Sequence, residues 1–227
     1  MPPPRIAGNK HSAKMGHNAG YIKGEERFGQ VLSPLYALVA RTPPMRSFYD
    51  FVVSDIEAAR PRSVLDVGTG PGIVAVRLAR DMHARIDAVD PSISMLRIAR
   101  KNAAGLSNLR VERGSSRFIP FRKRYDIIYT SLSFHHWRRK AESLAYMSGF
   151  LGRHGEIRIY DALKARRLSL FGTHRLSMGT VYSASGSAGL AVKGIAHYGP
   201  FVRVTLAKRL GKGRPHKPGF QIQGLYP

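Results

Sequence analysis

The sequence predicts an α/β fold: a doubly wound, mostly parallel seven-stranded sheet with additional helices at the N-terminal end. Three observations predict this fold. An apolar run leads directly into a turn that carries three glycines within residues 68–72. Strand-like segments then alternate with helix-like segments, which is typical of a parallel sheet. The chain also has 227 residues, 43% of them hydrophobic, which is enough for one sizeable core.

The predicted elements follow one another in a regular order. The segment 125–131 is the near-continuous apolar run expected of a strand covered on both faces, and 92–104 places apolar side chains at helical spacing. From 64 to 161 the predicted elements are a strand at 64–67, a helix at 72–82, a strand at 85–90, a helix at 92–104, strands at 109–112 and 125–131, a helix at 140–151 and a strand at 155–161. Helices are predicted before them at 29–40 and 43–59, and an antiparallel pair of strands after them at 192–198 and 201–207, joined by a turn.

The glycine turn has the character of a nucleotide-type cofactor loop. Glycines permit a sharp turn and a close ligand approach, and the following helix presents free N–H groups. Two cofactors compete for such a loop. The nicotinamide fingerprint G-x-G-x-x-G requires a third glycine at position 73, where this chain has Ile73. Asp66, just before the turn, would repel a pyrophosphate and instead suits a ligand with a positive ammonium group. A glycine-rich turn that binds nothing is the structural alternative.

A second acid stands 24 residues after Asp66, at the end of the next predicted strand. This separation fits one strand–turn–helix–strand unit, and a carboxylate at that strand tip can accept hydrogen bonds from two vicinal ribose hydroxyls. Asp90 is therefore the candidate ribose ligand. Asp87 points in another direction by strand alternation and ranks lower. The structural alternative for Asp90 is the N-cap of the helix that begins near Ser92.

The pattern D-x-G-x-G-x-G at 66–72 resembles the first motif of class I S-adenosylmethionine-dependent methyltransferases. The resemblance covers about residues 45–208. Within that family the chain resembles the branch of ubiquinone and menaquinone C-methyltransferases (the type 11 methyltransferases), through the stretches 114–121, 125–137 and 151–157. The resemblance implies a Rossmann-like methyltransferase fold, S-adenosylmethionine as cofactor, and methyl transfer to a small-molecule or lipid-like acceptor.

The resemblance also implies which residues face the cofactor. Asp66 would face its methionine end and Asp90 its ribose. The chain departs from the family at Ser115, where the family usually has an aspartate near the adenine amino group and where a serine hydroxyl accepts a weaker hydrogen bond. The full set of predicted cofactor-binding residues is Asp66, Gly68, Thr69, Gly70, Gly72, Asp90, Pro91, Ser92, Ser115, Ser116 and Ser131.

His135 and His136 are the candidate catalytic residues. They follow the fourth predicted strand, and the carboxyl ends of parallel strands line the cleft of such a sheet. A sulfonium is already an activated methyl donor, so the protein mainly aligns the acceptor, and a base helps only where the acceptor must lose a proton. Either histidine has the right chemistry to accept a proton near neutral pH. The alternative is that one packs beneath the cofactor and the other binds a backbone carbonyl.

The absence of certain residues narrows the chemistry. The chain has no cysteine, which excludes disulfides, thiolate metal sites and cysteine-dependent methylation of cytosine C5. The motif Asn-Pro-Pro-Tyr, with which related enzymes hold a planar amino nitrogen, is missing after the fourth strand. The nine histidines are scattered and no pair has the spacing of a helical metal site with acidic support, so no metal is expected.

The predicted organisation has four parts. Residues 1–23 form a flexible basic arm, 24–60 a helical segment that would be a lid over the acceptor in the resembling family, 61–208 the cofactor-binding domain, and 209–227 a basic C-terminal tail. No apolar run reaches the roughly 18 residues needed to span a bilayer, and the N-terminus lacks the apolar core of a signal peptide. The expected location is the cytoplasm. The oligomeric state is not predicted.

The charge of the chain is the feature that the fold does not explain. There are 37 Lys and Arg residues against 14 Asp and Glu, a net charge of +23. Such an excess favours RNA or another polyanion as a partner, although a basic surface without a specific partner is the alternative. Three functions stay open: a methyltransferase with a small or lipid-like acceptor, an RNA methyltransferase, and a protein that binds S-adenosylmethionine without turnover.

Overall fold

A computed structural model describes residues 42–163 and 176–209. The helices and strands in this part of the chain, in order, are α1 (Pro43–Ala58), β1 (Ser63–Val67), α2 (Ile73–Asp81), β2 (Arg85–Asp90), α3 (Ile93–Asn102), β3 (Leu109–Arg113), β4 (Tyr125–Ser131), α4 (Lys140–Ser148), β5 (Leu151–Ala162), α5 (Met178–Ser187), β6 (Leu190–Tyr198) and β7 (Phe201–Lys208). A short 3₁₀ turn, Phe134–His136, lies between β4 and α4.

The seven strands form one sheet in the order β3-β2-β1-β4-β5-β7-β6. Strands β1 to β5 run parallel to one another, whereas β7 is antiparallel to both β5 and β6. The predicted doubly wound fold and its closing antiparallel pair are confirmed. The order reverses between β1 and β4, and the crevice at such a switch point is where open α/β sheets bind ligands.

Two hydrophobic layers cover the two faces of the sheet. Helices α1, α2 and α3 pack on one face, where Phe48, Val52 and Ile56 of α1 join apolar side chains of the strands. Helices α4 and α5 pack on the other face, where Leu144 and Met147 of α4 are fully buried. Because both faces are covered, the central strands read as continuous apolar runs rather than as alternating ones.

The helix α1 is held to the sheet by a polar cluster as well as by apolar contacts. Its Asp55 carboxylate accepts hydrogen bonds from Arg158 Nη1 at 2.7 Å and from the Tyr160 hydroxyl at 2.6 Å, both on β5, and pairs with Arg203 of β7. The Arg158 side chain is only 9% exposed and also pairs with Glu156, so its charge is balanced by two acidic partners. In this structure α1 packs into the core of the fold.

The structure differs from the predicted elements at two places. Helix α4 ends at Ser148 instead of 151, because Leu151 already pairs with Tyr125 in the sheet. Helix α5 was not predicted, since its ten residues include two glycines and three serines and show no strong apolar stripe. It is a helix because Val181 and Ala184 bury against the second face of the sheet.

Several predictions fall outside the described residues. These are the arm 1–23, the helix 29–40, residues 24–41 of the segment 24–60, and the tail 209–227 apart from its first residue. Within the described ranges, no helix has both the length and the apolar character needed to cross a bilayer.

Candidate functional site

The glycine loop between β1 and α2 is closed by hydrogen bonds to the neighbouring strand. The N–H groups of Gly68 and Thr69 donate to the carbonyl of Val89, at 2.8 and 3.0 Å. Gly68 has φ +84°, and a Cβ there would lie 2.8 Å from Ser133 Cβ, well inside van der Waals contact. Position 68 therefore requires glycine because Ser133, in the segment after β4, packs directly against its backbone. At Gly70, by contrast, a Cβ would meet nothing within 4 Å, so the loop is open at this position.

Asp66 is a buried acid with an unusual environment. Its side chain is 1% exposed, and Tyr129 of the adjacent strand β4 donates its hydroxyl to Oδ2 at 2.8 Å. Burial is the main reason that the pKa of Asp66 is raised to about 7, whereas the neighbouring Thr69 hydroxyl and the Tyr129 hydrogen bond lower it. The carboxyl group is thus poised to change its charge close to neutral pH.

Two buried polar atoms on neighbouring side chains beside the loop lack a well-formed hydrogen bond to any described residue, although they lie close enough for Thr69 to lower the pKa of Asp66. They are Asp66 Oδ1 and the hydroxyl oxygen of Thr69. Buried polar atoms are nearly always satisfied in folded proteins, so such a pair needs an explanation. Both atoms can accept a hydrogen bond, and an ammonium group of a bound ligand would supply the missing donor and an opposite charge. These residues fit the amino-acid end of S-adenosylmethionine.

Asp90, the second predicted acid, lies at the tip of β2 and connects the loop to the next helix. Its Oδ2 accepts the N–H of Gly70 at 2.8 Å and its Oδ1 accepts the N–H of Ser92 at 2.8 Å. Each carboxylate oxygen has the capacity for more than one hydrogen bond. The side chain is therefore held rigidly at the carboxyl edge of the sheet, where it has the chemistry to receive ribose hydroxyls.

The N-cap alternative for Asp90 was wrong. The N-cap of α3 is Ser92, whose hydroxyl accepts the N–H of Met95. Pro91 lies between the acid and this cap. Asp87 is buried near the start of β2 with Arg110, Lys123 and Tyr125 as partners, which is a structural role away from the loop.

Ser115 and Ser116 follow the carboxyl end of β3 and so lie at the same edge of the sheet as Asp90. The hydroxyl of Ser115 accepts the N–H of Arg117 at 3.3 Å. The hydroxyl of Ser116 is hydrogen-bonded to that of Ser143 on α4 at 2.8 Å. Its hydroxyl is therefore engaged within the fold, and what Ser116 offers a ligand is mainly its backbone.

The segment after β4 lies directly on the glycine loop. Ser131, the last residue of β4, pairs with Tyr160 of β5. Leu132 then adopts φ +50°, a conformation that is rare and strained for a leucine and that often occurs at functional sites. This turn brings Ser133 against Gly68 and starts the 3₁₀ turn that carries His135 and His136.

The two histidines differ in their partners. His135 Nδ1 lies 2.8 and 2.9 Å from the two carboxylate oxygens of Asp161, which is fully buried at the end of β5. The rings of His135 and His136 stand 3.9 Å apart between centroids. Sequence reasoning missed Asp161, although a signal existed: it is the last residue of the predicted fifth strand and so belongs to the carboxyl edge.

The structure brings most of the predicted site residues to one edge of the sheet. Residues 66–72, 90–92, 115–116 and 131–136 all follow the carboxyl ends of β1, β2, β3 and β4. In the described ranges, no three histidine or acidic side chains gather in a way that could hold a metal ion. The arrangement combines two acids, a glycine loop and a histidine–aspartate pair.

The central part of the chain is similar to known proteins. Residues 64–155 match the family model of a methyltransferase domain. An uncharacterized methyltransferase of Alkaliphilus oremlandii is 32% identical over 101 residues, which are 44% of this chain and 45% of the relative. A malonyl-[acyl-carrier protein] O-methyltransferase of Halalkalibacterium halodurans is 32% identical over 100 residues, 42% of this chain and 37% of that protein. The matched segment thus spans less than half the length of these curated relatives.

A solved structure shows the same fold. A SAM-dependent methyltransferase from Aquifex aeolicus superposes with a TM-score of 0.66 at 20% sequence identity, over 76% of this chain and 97% of the other. Residues 64–155 are therefore similar to a methyltransferase domain, and the described chain has the fold of a SAM-dependent methyltransferase.

Proposed function

We propose that this protein transfers the methyl group of S-adenosylmethionine to a small-molecule or lipid-like acceptor. One observation carries the proposal: two buried carboxylates, Asp66 and Asp90, flank an open glycine loop at the switch point of the sheet. A pair of acids suits a ligand that has an ammonium group at one end and ribose hydroxyls in the middle, and it disfavours a pyrophosphate.

Each acid has a separate role in this proposal. Asp66 Oδ1 and the Thr69 hydroxyl, which are both buried beside the loop, bind the ammonium group. Asp90, fixed by the N–H groups of Gly70 and Ser92, receives the ribose hydroxyls. When bound, the cofactor supplies an activated methyl group on a sulfonium. The protein's own contribution is to orient the acceptor in line with that methyl group and to exclude water.

The preference for a small or lipid-like acceptor is supported by two findings. The stretch 131–137 resembles the branch that methylates such acceptors. One matched relative is named as an O-methyltransferase of malonyl-[acyl-carrier protein], an acceptor with a small acyl group. Both findings concern the chemistry of the acceptor.

An RNA acceptor is the second candidate function, favoured by the net charge of +23. A positive excess of this size draws polyanions to the surface whether or not they are methylated. Binding and methylation therefore have to be measured separately. Binding that depends on charge weakens steeply as salt rises, whereas labelling of RNA by the cofactor reports the chemistry.

The test uses methyl-labelled S-adenosylmethionine, the full chain, and an extract of the source cell separated afterwards into RNA, protein and small-molecule or lipid fractions. We expect label in the small-molecule or lipid fraction, and less label with Asp90→Ala when the cofactor concentration is kept below the dissociation constant. Label in RNA alone would replace the proposal by the second candidate. Absence of transfer to any fraction, with S-adenosylmethionine bound, would show a binding protein without turnover.

A further inference from the structure

The contact between His135 and Asp161 fixes one histidine in a defined orientation. Asp161 is fully buried, and its oxygens also accept the main-chain N–H groups of Ala162 at 2.8 Å and of His135 at 3.2 Å. The carboxylate is therefore held on both sides by backbone. The His135 side chain remains 13% exposed, so one edge of its ring stays accessible.

The hydrogen bond decides which ring nitrogen is available for chemistry. A carboxylate only accepts hydrogen bonds, so the Nδ1 atom that faces Asp161 must carry a proton. In a neutral imidazole the other nitrogen, Nε2, is then an acceptor with a free lone pair. Nε2 makes no hydrogen bond with the described residues. The same division of roles occurs wherever an acid orients a histidine that acts as a base.

Two other charged or titratable groups surround the imidazole. The ring of His136 lies beside it on the same turn. Lys140, at the start of α4, directs its ammonium group to the main-chain oxygens of His135 and Trp137, and partial burial lowers the pKa of Lys140. Neither group occupies the Nδ1 side of His135, which belongs to Asp161.

The position of the pair relates it to the cofactor loop. His135 lies two residues after Ser133, which is in contact with Gly68. Asp161 stands at the end of β5, next to the end of β4. Both residues are therefore at the carboxyl edge, on the side of the sheet switch point where an acceptor would meet the methyl group.

We propose that Asp161 positions His135 as the base that removes a proton from a hydroxyl acceptor, so that this methyltransferase forms methyl ethers from alcohols or phenols. The inference rests on the proposed function of S-adenosylmethionine-dependent methyl transfer. Asp161 is a positioning residue, because it acts through His135 and does not touch the acceptor.

The proposed step balances in atoms and electrons. The acceptor oxygen uses a lone pair to form a bond to the methyl carbon, and the bond between that carbon and sulfur breaks. Its electron pair stays on sulfur, which changes from a sulfonium to a neutral thioether. The hydroxyl proton passes to His135 Nε2, and the imidazolium that forms is stabilised by the Asp161 carboxylate.

The need for a base separates hydroxyl acceptors from carboxylic acids. A carboxylic acid has already lost its proton at neutral pH and is methylated to an ester without a base. A hydroxyl group keeps its proton at neutral pH and becomes a good nucleophile only as the proton leaves. A positioned histidine–aspartate pair is useful for the second kind of acceptor.

The first test examines the product formed from labelled S-adenosylmethionine and the cell extract. We expect the transferred label to survive mild alkali and to be released by hot hydriodic acid, as a methyl ether is. Release by alkali would show a methyl ester, and resistance to both would show methylated nitrogen or carbon. Either result would overturn the inference while leaving the proposed methyl transfer intact. Absence of any transfer would overturn both.

The second test compares methyl-transfer rates of His135 and Asp161 variants, singly and combined, on the acceptor fraction that took up label in the first test. We expect His135→Ala to slow transfer about 10²-fold or more, in the range of a lost general base, and Asp161→Asn to slow it about tenfold or more. Both variants should bind S-adenosylhomocysteine as the wild type does. In the His135→Ala background, Asp161→Asn should have no further effect, because a residue that acts through His135 has nothing left to position.

The exposed His154, near the other end of β5, provides the matched control, and His154→Ala should retain wild-type transfer. A merely structural role for Asp161 would slow transfer equally with and without His135 and would reduce cofactor binding. That result, or full activity in Asp161→Asn, would contradict the inference. If Asp161→Asn fails to fold, His135→Gln, which removes the base on the surface side of the pair, must still slow transfer about 10²-fold.

Discussion

The raised pKa of Asp66 predicts that cofactor binding depends on pH near neutrality. The affinity for S-adenosylhomocysteine is measured at pH 6 and at pH 8. This ligand has the same ammonium group as the cofactor and no reactive methyl group. Asp66 holds a ligand ammonium well only as a carboxylate. Since its pKa is raised to about 7, protonation at lower pH competes with ligand binding.

The size of the effect follows from the fraction of Asp66 that is ionised. With a pKa of about 7, roughly one molecule in eleven has an ionised Asp66 at pH 6, and roughly ten in eleven at pH 8. The dissociation constant should therefore fall about tenfold between these two values. Below pH 7 the binding reaction should also release close to one proton per ligand bound.

Isothermal titration calorimetry measures both quantities, because titrations in buffers of different ionisation enthalpy report the protons released. The matched variant is Asp66→Asn, which keeps the shape and an acceptor for Tyr129 but cannot ionise. Its affinity should be weaker at pH 8 and flat between pH 6 and pH 8. A wild-type affinity that is constant over this range, or an equal pH dependence in Asp66→Asn, would refute the reasoning.

Three further predictions concern stability. Folding raises the pKa of Asp66 to about 7, so ionising this carboxyl group destabilises the folded state. The unfolding free energy of the wild type should therefore fall relative to that of Asp66→Asn as pH rises from 4 to 7, by at most about 4 kcal/mol, and should stay constant above pH 7. Equal pH profiles of the two proteins in urea melts would contradict this prediction. Asp55→Ala removes the carboxylate that binds Arg158, Tyr160 and Arg203. Because Arg158 keeps its pair with Glu156, the loss should be about 1.5–3 kcal/mol, whereas Asp50→Ala, which breaks an exposed ion pair, should cost under about 1 kcal/mol; similar losses in denaturant melts would show that the Asp55 cluster adds no more stability than a surface ion pair. Gly68→Ala should lower the melting temperature of the protein more than Gly70→Ala. Both glycines have positive φ, but only a Cβ at position 68 would collide with Ser133. The reverse order of melting temperatures would contradict the packing of Ser133 against Gly68.

The parts of the site that depend on sequence order alone could be predicted. The loop, Asp66 and Asp90 lie within one strand–turn–helix–strand unit, so their spacing along the chain determines their arrangement in space. The fold followed from the alternation of apolar strands and amphipathic helices, which is a local signal repeated along the chain.

The parts that depend on contacts between distant segments could not be predicted. Tyr129 reaches Asp66 only because β4 pairs with β1 in a particular register. Asp161 reaches His135 only because β5 lies beside β4. Helix α5 depends on burial against the sheet rather than on its own sequence. In each case the deciding interaction joins residues far apart in the chain.

The central proposal, that the cleft between Asp66 and Asp90 holds S-adenosylmethionine, is tested most directly by one affinity measurement. The affinity of Asp90→Ala for S-adenosylmethionine is compared by calorimetry with that of Glu112→Ala, which removes an exposed carboxylate on the neighbouring strand β3. Loss of charge-assisted hydrogen bonds to the ribose, about 1.5–3 kcal/mol, predicts at least a tenfold weaker affinity for Asp90→Ala. Glu112→Ala should bind as the wild type does. Equal affinity of a folded Asp90→Ala and the wild type would contradict the proposed position of the cofactor.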